Sequence, residues 1–390
     1  MSDVATIDDR QRRARLGLRH RLSPATRSND AFEVATSVVA LHSSDPVTVY
    51  LSVTARGHDG SFDPLETALY ERRTVVRHHA MRRTIWVMPI DMAVDAHAAS
   101  TQKIAARERA RTMKAAGWTT EFMDRSIDEL VELIAERGPL TTREIGLLRP
   151  ALTERVLLGA GTRNPASIAT HTRLLLHAGF EARIVRGRPS GSWISSEYAW
   201  HETVQWLGRP IVDGDARMAS AAVVGRWLAV FGPGTETDLR WWTGWTATQV
   251  RHALADIGAT QVKLSNGATG YVLASDLDDI DEPEPWVALL PGLDPTAMGW
   301  KERDWYLDLA TASRVMDRNG NIGPTIWADG LVVGGWVQRP DGTIATEINR
   351  SISSHHRRLL EEETERLVDA IGETRVRTRF PAPNQADLLA

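Results

Sequence analysis

The 390-residue sequence contains no cysteine, which excludes disulfide bridges, cysteine-ligated zinc and thiolate catalysis. Lysine is scarce as well, supplying four of the 46 basic residues. Positive charge is therefore carried by arginine, whose planar fork suits contacts to phosphates and base edges. Genome composition alone also produces such a bias. No run of eighteen apolar residues occurs, so no membrane span is expected. The N-terminus, MSDVATIDDRQRRARLGLRH, has neither an apolar core nor a small-residue cleavage site and points to a cytoplasmic protein. The GxxxxGK, GxSxG and GxGxxG patterns are missing, which leaves nucleotide hydrolysis, α/β-hydrolase chemistry and Rossmann cofactors without support. No cofactor is expected. Nor is a metal: His78 and His79 fall on a strand, where neighbours point to opposite faces, and His355-His356 has a related defect on a helix.

What is present is an ordinary globular composition, 42% apolar and 25% charged. The length predicts two to four modules. The net charge of -4 hides an asymmetry, since residues 1–120 carry 18 Lys/Arg against 13 Asp/Glu. Acid is concentrated later, in DLDDIDEPEP (276–285) and LEEETER (360–366). A basic half permits DNA binding without requiring it. RQRRARLGLRHRL (10–22) and KIAARERARTMK (103–114) are equally readable as phosphate grips and as solvated helix faces.

The spacing of apolar residues predicts an α+β chain in which one unit recurs. Residues 30–56 read as two helices, the first capped by Asp30 and the second started by Asp45-Pro46. DPLETALYERR repeats the Asp-Pro start, and TVVRHHAMRRTIWVMPI reads as a hairpin around a basic turn. Helices followed by a hairpin suggest a winged helix. The same order returns in SIDELVELIAERGPLTTREIGLL, NPASIATHTRLLLHAGF with an Asn-Pro start, and EARIVRGRPSGSWISSEY, whose turn is expected to hold Arg186, Arg188 and Gly191. It returns once more in ARMASAAVVGRWLAVF, GTETDLRWWTG, TATQVRHALADIG and TQVKLSNGATGYVLA. The starts lie near residues 31, 126 and 216 without obvious identity between copies. The expected divisions are 1–120, with N-terminal helices and a first winged helix, then 121–210 and 211–275. Beyond 275, short β-rich runs at 276–350 and 373–381 suggest a small barrel or sheet. A charged helix at 351–372 interrupts them, and the tail PAPNQADLLA reads as loose. Trp241, Trp242 and Trp245 offer stacking surfaces for bases, but packing is the commoner use of such a cluster.

By itself, His42-Ser43-Ser44 is an inter-helix linker, with Asp45 the better cap. Five stretches change that reading: VVALHSSDPVTVYLSVTARG, RRTVVRHHAMRRTIWVMPIDM, LAVFGPGTETDLRWWTG, LLPGLDPTAMGWKERD and WADGLVVGGWVQRPDG. In this order the chain resembles the AlkZ/YcaQ-type winged-helix family of bacterial DNA glycosylases, over nearly its whole length. The resemblance implies a C-shaped molecule, three tandem winged helices around a C-terminal β-barrel, with DNA in a basic concave channel. It implies metal-free, monofunctional release of N7-alkylated purines, or unhooking of genotoxin crosslinks, through an oxocarbenium-like sugar and a positioned water. The partner is then alkylated or adducted double-stranded DNA, and the protein is expected to be a monomer. The family's Gln-x-Gln or Gln-x-Asp motif falls on His42-Ser43-Ser44. His42 would orient or deprotonate water and Ser44 would assist, with Asp45 as a supporting carboxylate whose place before Pro46 argues for a cap. Wing-tip placement nominates Arg77, Arg82 and Arg83 on the first hairpin, and Arg186 and Arg188 on the second, as DNA contacts. Asp294 with Arg303 suggests a structural pair. The competing reading is a non-catalytic winged-helix DNA-binding protein, a regulator or damage sensor; a weaker one is a protein-contact module.

Overall fold

The computed structural model describes residues 4–159, 161, 165–211 and 214–390, and the chain is a mixed α+β protein. Among the described residues no helix is long and apolar enough to cross a membrane. In the first unit, Asp30 caps the helix Ala31–Ser37 by accepting from the Phe32 N–H. A two-residue strand, Leu41–His42, then leads to the helix Pro46–Thr54, capped by Asp45. The helix Asp63–Glu66 continues through a π turn, and the strands Val75–His79 and Ile85–Pro89 close the unit as a hairpin. Leu41–His42 pairs with the second hairpin strand, opposite Val87 and Trp86. β-Branched Val75, Val76, Ile85 and Val87 suit this doubly covered sheet.

The pattern recurs twice. In the second unit the short strand Leu140–Thr141, between the helices Thr120–Arg137 and Thr142–Leu148, pairs with Trp200 and Ala199 on the second hairpin strand. In the third, Gly234 lies between the helices Ala216–Phe231 and Glu236–Thr243 and bridges Tyr271, again on the second hairpin strand. Each unit thus runs through a helix, a short extended segment, two helices and a hairpin, with one pairing rule, and the second adds a strand pair before its last helix. The Asn-Pro helix start is not met: Asn164 lies outside the described residues, and Ala166–Ala169 forms a strand with Arg155–Leu158 before the helix begins at Thr170.

The C-terminal region corrects three expectations. Val287–Leu290, Thr325–Ala328, Leu331–Gln338 and Ile344–Ile348 form a four-stranded antiparallel sheet in simple sequential order. Its outer strands do not pair with each other, so it is an open sheet and not a barrel, and 373–381 contributes no strand. Four strands are too few to close around a filled interior. The helix Ser354–Ile371 covers one face instead, burying Leu360, Leu367 and Ile371. The tail is not loose, because Pro383–Leu389 is a helix with Asn384 and Gln385 buried.

Most of the N-terminal arginines are also drawn into internal contacts. Arg12 and Arg15 are buried, Arg19 pairs with Asp276 at 2.5 Å, Arg10 pairs with Glu282, and Arg15 donates to the Asp278 carbonyl at 2.6 Å. The run 10–22 therefore neutralises the acidic segment 276–285 and is not a phosphate grip. One continuous core runs from the first hairpin (Val76, Trp86, Met88) through the third unit (Trp227, Trp242) to the open sheet (Leu290, Trp327).

Candidate active site

The chain from Leu41 to Asp45 is fixed at every residue. Backbone pairing to Trp86 holds His42 on the hairpin, and the imidazole meets the Trp86 indole edge-on at 5.1 Å. The Ser43 N–H donates to the Ile85 carbonyl at 3.0 Å. Ser43 Oγ accepts from Arg77 Nε at 3.3 Å, and Arg77 Nη1 donates to the Tyr70 hydroxyl at 2.6 Å. The Ser44 carbonyl accepts from Arg379 at 2.8 Å. Asp45 accepts from the Val47 N–H, as its place before Pro46 implies.

Beneath this loop, the helix Pro46–Thr54 and its C-terminal neighbour Arg56 are bolted to residues 292–296. Thr48 Oγ1 donates to the Gly292 carbonyl at 2.7 Å, and Ser52 Oγ to Asp294 at 2.7 Å. Arg56 grips Asp294 with two hydrogen bonds of 2.8 Å and donates to Thr296 Oγ1 at 2.7 Å. Positions 48, 52 and 56 share one helical face. Arg56 and Asp294 are each 0% exposed, and the Arg56 charge together with the Ser52 and Thr296 hydrogen bonds outweighs burial, holding the Asp294 carboxyl below its usual range. The expected Asp294–Arg303 pair is therefore corrected: the partner of Asp294 is Arg56.

The recurring units show what is distinctive here. In the second unit Thr141 is both strand residue and N-cap, and in the third Thr235 follows Gly234 directly as N-cap. In the first unit Ser43 and Ser44 intervene between His42 and the cap. Ser43 and Ser44 thus separate strand from cap in the first unit, where the other two units have no residue between them.

Burial pushes the His42 imidazole down to about 4, with the charge of Arg82 as the second cause. It is a free base at neutral pH, and its Nδ1 is buried without a partner among the described residues. Such a ring can accept a hydrogen bond from water while uncharged, and becomes a cation only once it has taken the proton. Burial raises the Asp45 carboxyl, opposed by the Val47 N–H and Arg379.

The five nominated arginines separate. Arg77 is mid-strand and 2% exposed, so it is no wing-tip contact. Its guanidinium lies over the Tyr198 ring at 4.8 Å and supports Ser43. Arg82 and Arg83 do occupy the first hairpin turn, both exposed and both with left-handed backbone. Arg83 is paired with Glu108 at 2.8 Å. Arg186 and Arg188 lie within the strand Ile184–Pro189 and not in its turn, which keeps only Gly191. Arg186 is half-buried over Tyr198 and Trp200, and Arg188 is paired with Glu66 over the Tyr70 ring.

His78 Nε2 and His97 Nδ1 share a hydrogen bond of 3.0 Å inside the core, and His79 stacks on Phe180. Among the described residues no group of His, Asp or Glu side chains is disposed to hold a metal ion. Trp242 is core, and Trp245 donates to Ser100 Oγ at 2.8 Å. Trp241 carries two guanidinium groups, those of Arg82 and Arg303. Sequence reasoning missed Arg379, whose partner Ser44 is 335 residues away, and paired Arg303 with Asp294 when its guanidinium lies over Trp241.

A family model described as DNA glycosylase AlkZ-like matches residues 35–370. No curated protein sequence matches the chain. The solved structure of the Streptomyces sahachiroi DNA glycosylase AlkZ is similar in fold, with a TM-score of 0.73 at 19% identity over 96% of this chain and 100% of that one.

Proposed function

The chain belongs to the AlkZ-like DNA glycosylase family, and from that premise we propose that it hydrolyses the N-glycosidic bond of N7-alkylated purines in double-stranded DNA. In this reading His42, as a free base, orients and then deprotonates the attacking water, and Ser44 assists. The observation that carries the reading is the uncharged imidazole of His42 at the position of the family's motif, on a loop braced from both sides. An N7-alkylated purine leaves as a neutral base from a cationic nucleoside, so the transition state is a sugar cation with little bonding to water. A charged imidazole would repel that sugar; a neutral one does not. A weak base is adequate because the proton leaves late, after water has begun to add. Ser43 has a different part, since its hydroxyl faces Arg77 and holds the loop.

The three recurrent units are read as winged helices, arranged as a C around the open sheet with the duplex on the concave side. Their shared strand pairing supports this. Bulky adducts and genotoxin crosslinks are included as substrates, and the working form is a cytoplasmic monomer. The loss of both family motif side chains at His42 and Ser44 favours a second reading, a non-catalytic DNA-damage sensor or regulator.

One experiment separates the two. The protein is incubated with a duplex containing a single N7-methylguanine, and free base and alkali-labile sites are measured against a protein-free blank. Release that falls about 10²–10⁴-fold in His42→Ala supports the hydrolase with His42 as its base. Binding without release supports the sensor, and release untouched by the substitution removes His42 from the mechanism.

A further inference from the structure

Two guanidinium groups from distant parts of the chain converge on one indole. Arg82 lies 4.6 Å and Arg303 4.9 Å from the Trp241 ring. They come from the first hairpin turn and from the segment after Trp300, while Trp241 belongs to the helix Glu236–Thr243. Cation–π attraction favours each contact, but two like charges on one ring repel. Burial first, and the charge of Arg303 second, hold the Arg82 guanidinium below its usual range.

Neither group has a carboxylate partner among the described residues. Arg303 is satisfied by neutral groups: its Nε donates to the Trp300 carbonyl at 3.0 Å, and its Nη atoms face the sulfurs of Met316 and Met298. The neighbouring arginines are different, since Arg83 is neutralised by Glu108 and Arg188 by Glu66. Arg82 is also held in place by a backbone that is costly for a side-chain-bearing residue, with φ 57°. A Cβ at Gly244 would come within 3.1 Å of Arg82 Cγ, so the glycine leaves room for this approach. Unpaired like charges gathered by three separate elements mark a place where an anion is expected.

We propose that Arg82 and Arg303, set on Trp241, form a clamp for a single DNA phosphodiester beside the nucleotide held at His42. This rests on the glycosylase reading for its position, and it eases a conflict within that reading. Arg82 acts electrostatically on His42, and an alkylated purine nucleoside is itself a cation. Two free guanidinium groups at that spot would oppose substrate and sugar cation alike. A phosphate bound between them, one negative charge against two positive, removes half of that opposition and ties the third unit to the strand that the first unit attacks.

The test is a neutral-linkage scan read by fluorescence anisotropy. The probes are duplexes carrying 2′-fluoroarabino-N7-methylguanine, which resists hydrolysis, with one methylphosphonate moved along each strand. Wild-type protein is expected to lose affinity most at one linkage near the lesion. Arg82→Gln, Arg303→Gln and the double variant are expected to be insensitive at that same linkage. The double variant should lower the slope of log K against log salt by about 0.9, the value for one phosphate. A drop of about 1.8, sensitivity lost at two different linkages, or a wild-type profile in the variants would overturn the clamp. Arg82 is exposed, so Arg82→Gln alone decides the matter if Arg303→Gln misfolds. No base release is needed for this measurement. A silent wild-type enzyme with the expected scan therefore refutes the hydrolase and keeps the clamp, whereas an active enzyme with unchanged scans does the reverse.

Discussion

Acidification should unfold this protein through its buried imidazoles. Burial pushes His20 and His79 down to about 3 and His42 and His177 to about 4, and it carries His78 well below the usual range, with His97 adding to the effect. Their surroundings suit the neutral ring: His20 bonds Thr296 Oγ1 at 2.8 Å, His177 bonds Thr112 Oγ1 at 3.0 Å, and His79 packs on Phe180. Above pH 6.5 folded and unfolded chains are equally deprotonated at these sites, and none contributes. As pH falls below 6.5 the unfolded chain binds protons that the folded chain refuses. Stability then drops by about 1.4 kcal/mol per pH unit for each ring, until pH reaches its folded value. At pH 5.5 that is about 1.3 kcal/mol for each of five rings, roughly 6 kcal/mol together, which rivals the total stability of a typical domain. Asp294 stays ionised in this window, because its carboxyl is held low, so the loss belongs to the histidines. Urea unfolding at pH 7.5 and 5.5 measures it. His79→Phe, which preserves a stacked ring, should recover about 1 kcal/mol at pH 5.5 with little change at 7.5. Equal midpoints at the two pH values would show that the folded protein accepts these protons and that the free-base assignment of His42 is wrong.

Two further outcomes follow from the same groups. Base release, corrected for spontaneous depurination, should show no inflection near 6.5 and should fall at lower pH only together with acid unfolding, because His42 in the folded protein stays a free base down to about 4; an inflection near 6.5 in protein that is still folded would mean an ordinary solvated imidazole. Arg56→Ala leaves the Asp294 carboxylate buried and alone, so urea unfolding should register a loss of about 3–5 kcal/mol. Arg56→Ala with Asp294→Ala should cost less than the sum of the singles. A loss below about 1 kcal/mol in Arg56→Ala would mean that residues 292–296 do not brace the loop.

Local chemistry was legible in the sequence wherever its partners were close in the chain. Asp30 and Asp45 cap the helices they precede because a cap needs only two or three following residues. The hairpins follow from short β-rich runs for the same reason. Side-chain destinations decided over long separations were not legible. Arg77 reads as a wet residue, but the strand VVRHH is covered on both faces and Tyr70 and Tyr198 receive its guanidinium. RQRRARLGLRHRL looks like a DNA grip until its acidic partners, some 260 residues later, are brought against it. Strand-forming composition beyond 275 was readable, but closure was not, because closure depends on how many strands pair at the edges. The nomination of His42 came from family resemblance, and its protonation state required its burial and the charge of Arg82.

The three copies of the strand-to-helix junction suggest why chemistry would settle in only one. In the second copy Thr141 and Glu144 form a reciprocal capping box, and in the third Thr235 and Asp238 do the same. Asp238 also receives the N–H groups of Lys301 and Glu302. Both junctions thus commit their polar side chains to satisfying helix-end donors. The first junction lacks the box. Pro46 removes one donor from the helix end, Asp45 serves another, and Thr48, at the position of the missing acid, turns to the Gly292 carbonyl instead. Moving the cap beyond Ser43 and Ser44 takes His42 and Ser44 out of the capping role, while strand pairing fixes the backbone of His42 and Arg379 that of Ser44. A rigid loop on which two polar side chains, here His42 and Ser44, are spared from capping is what a hydrolytic site requires. Neither of the other two copies provides one.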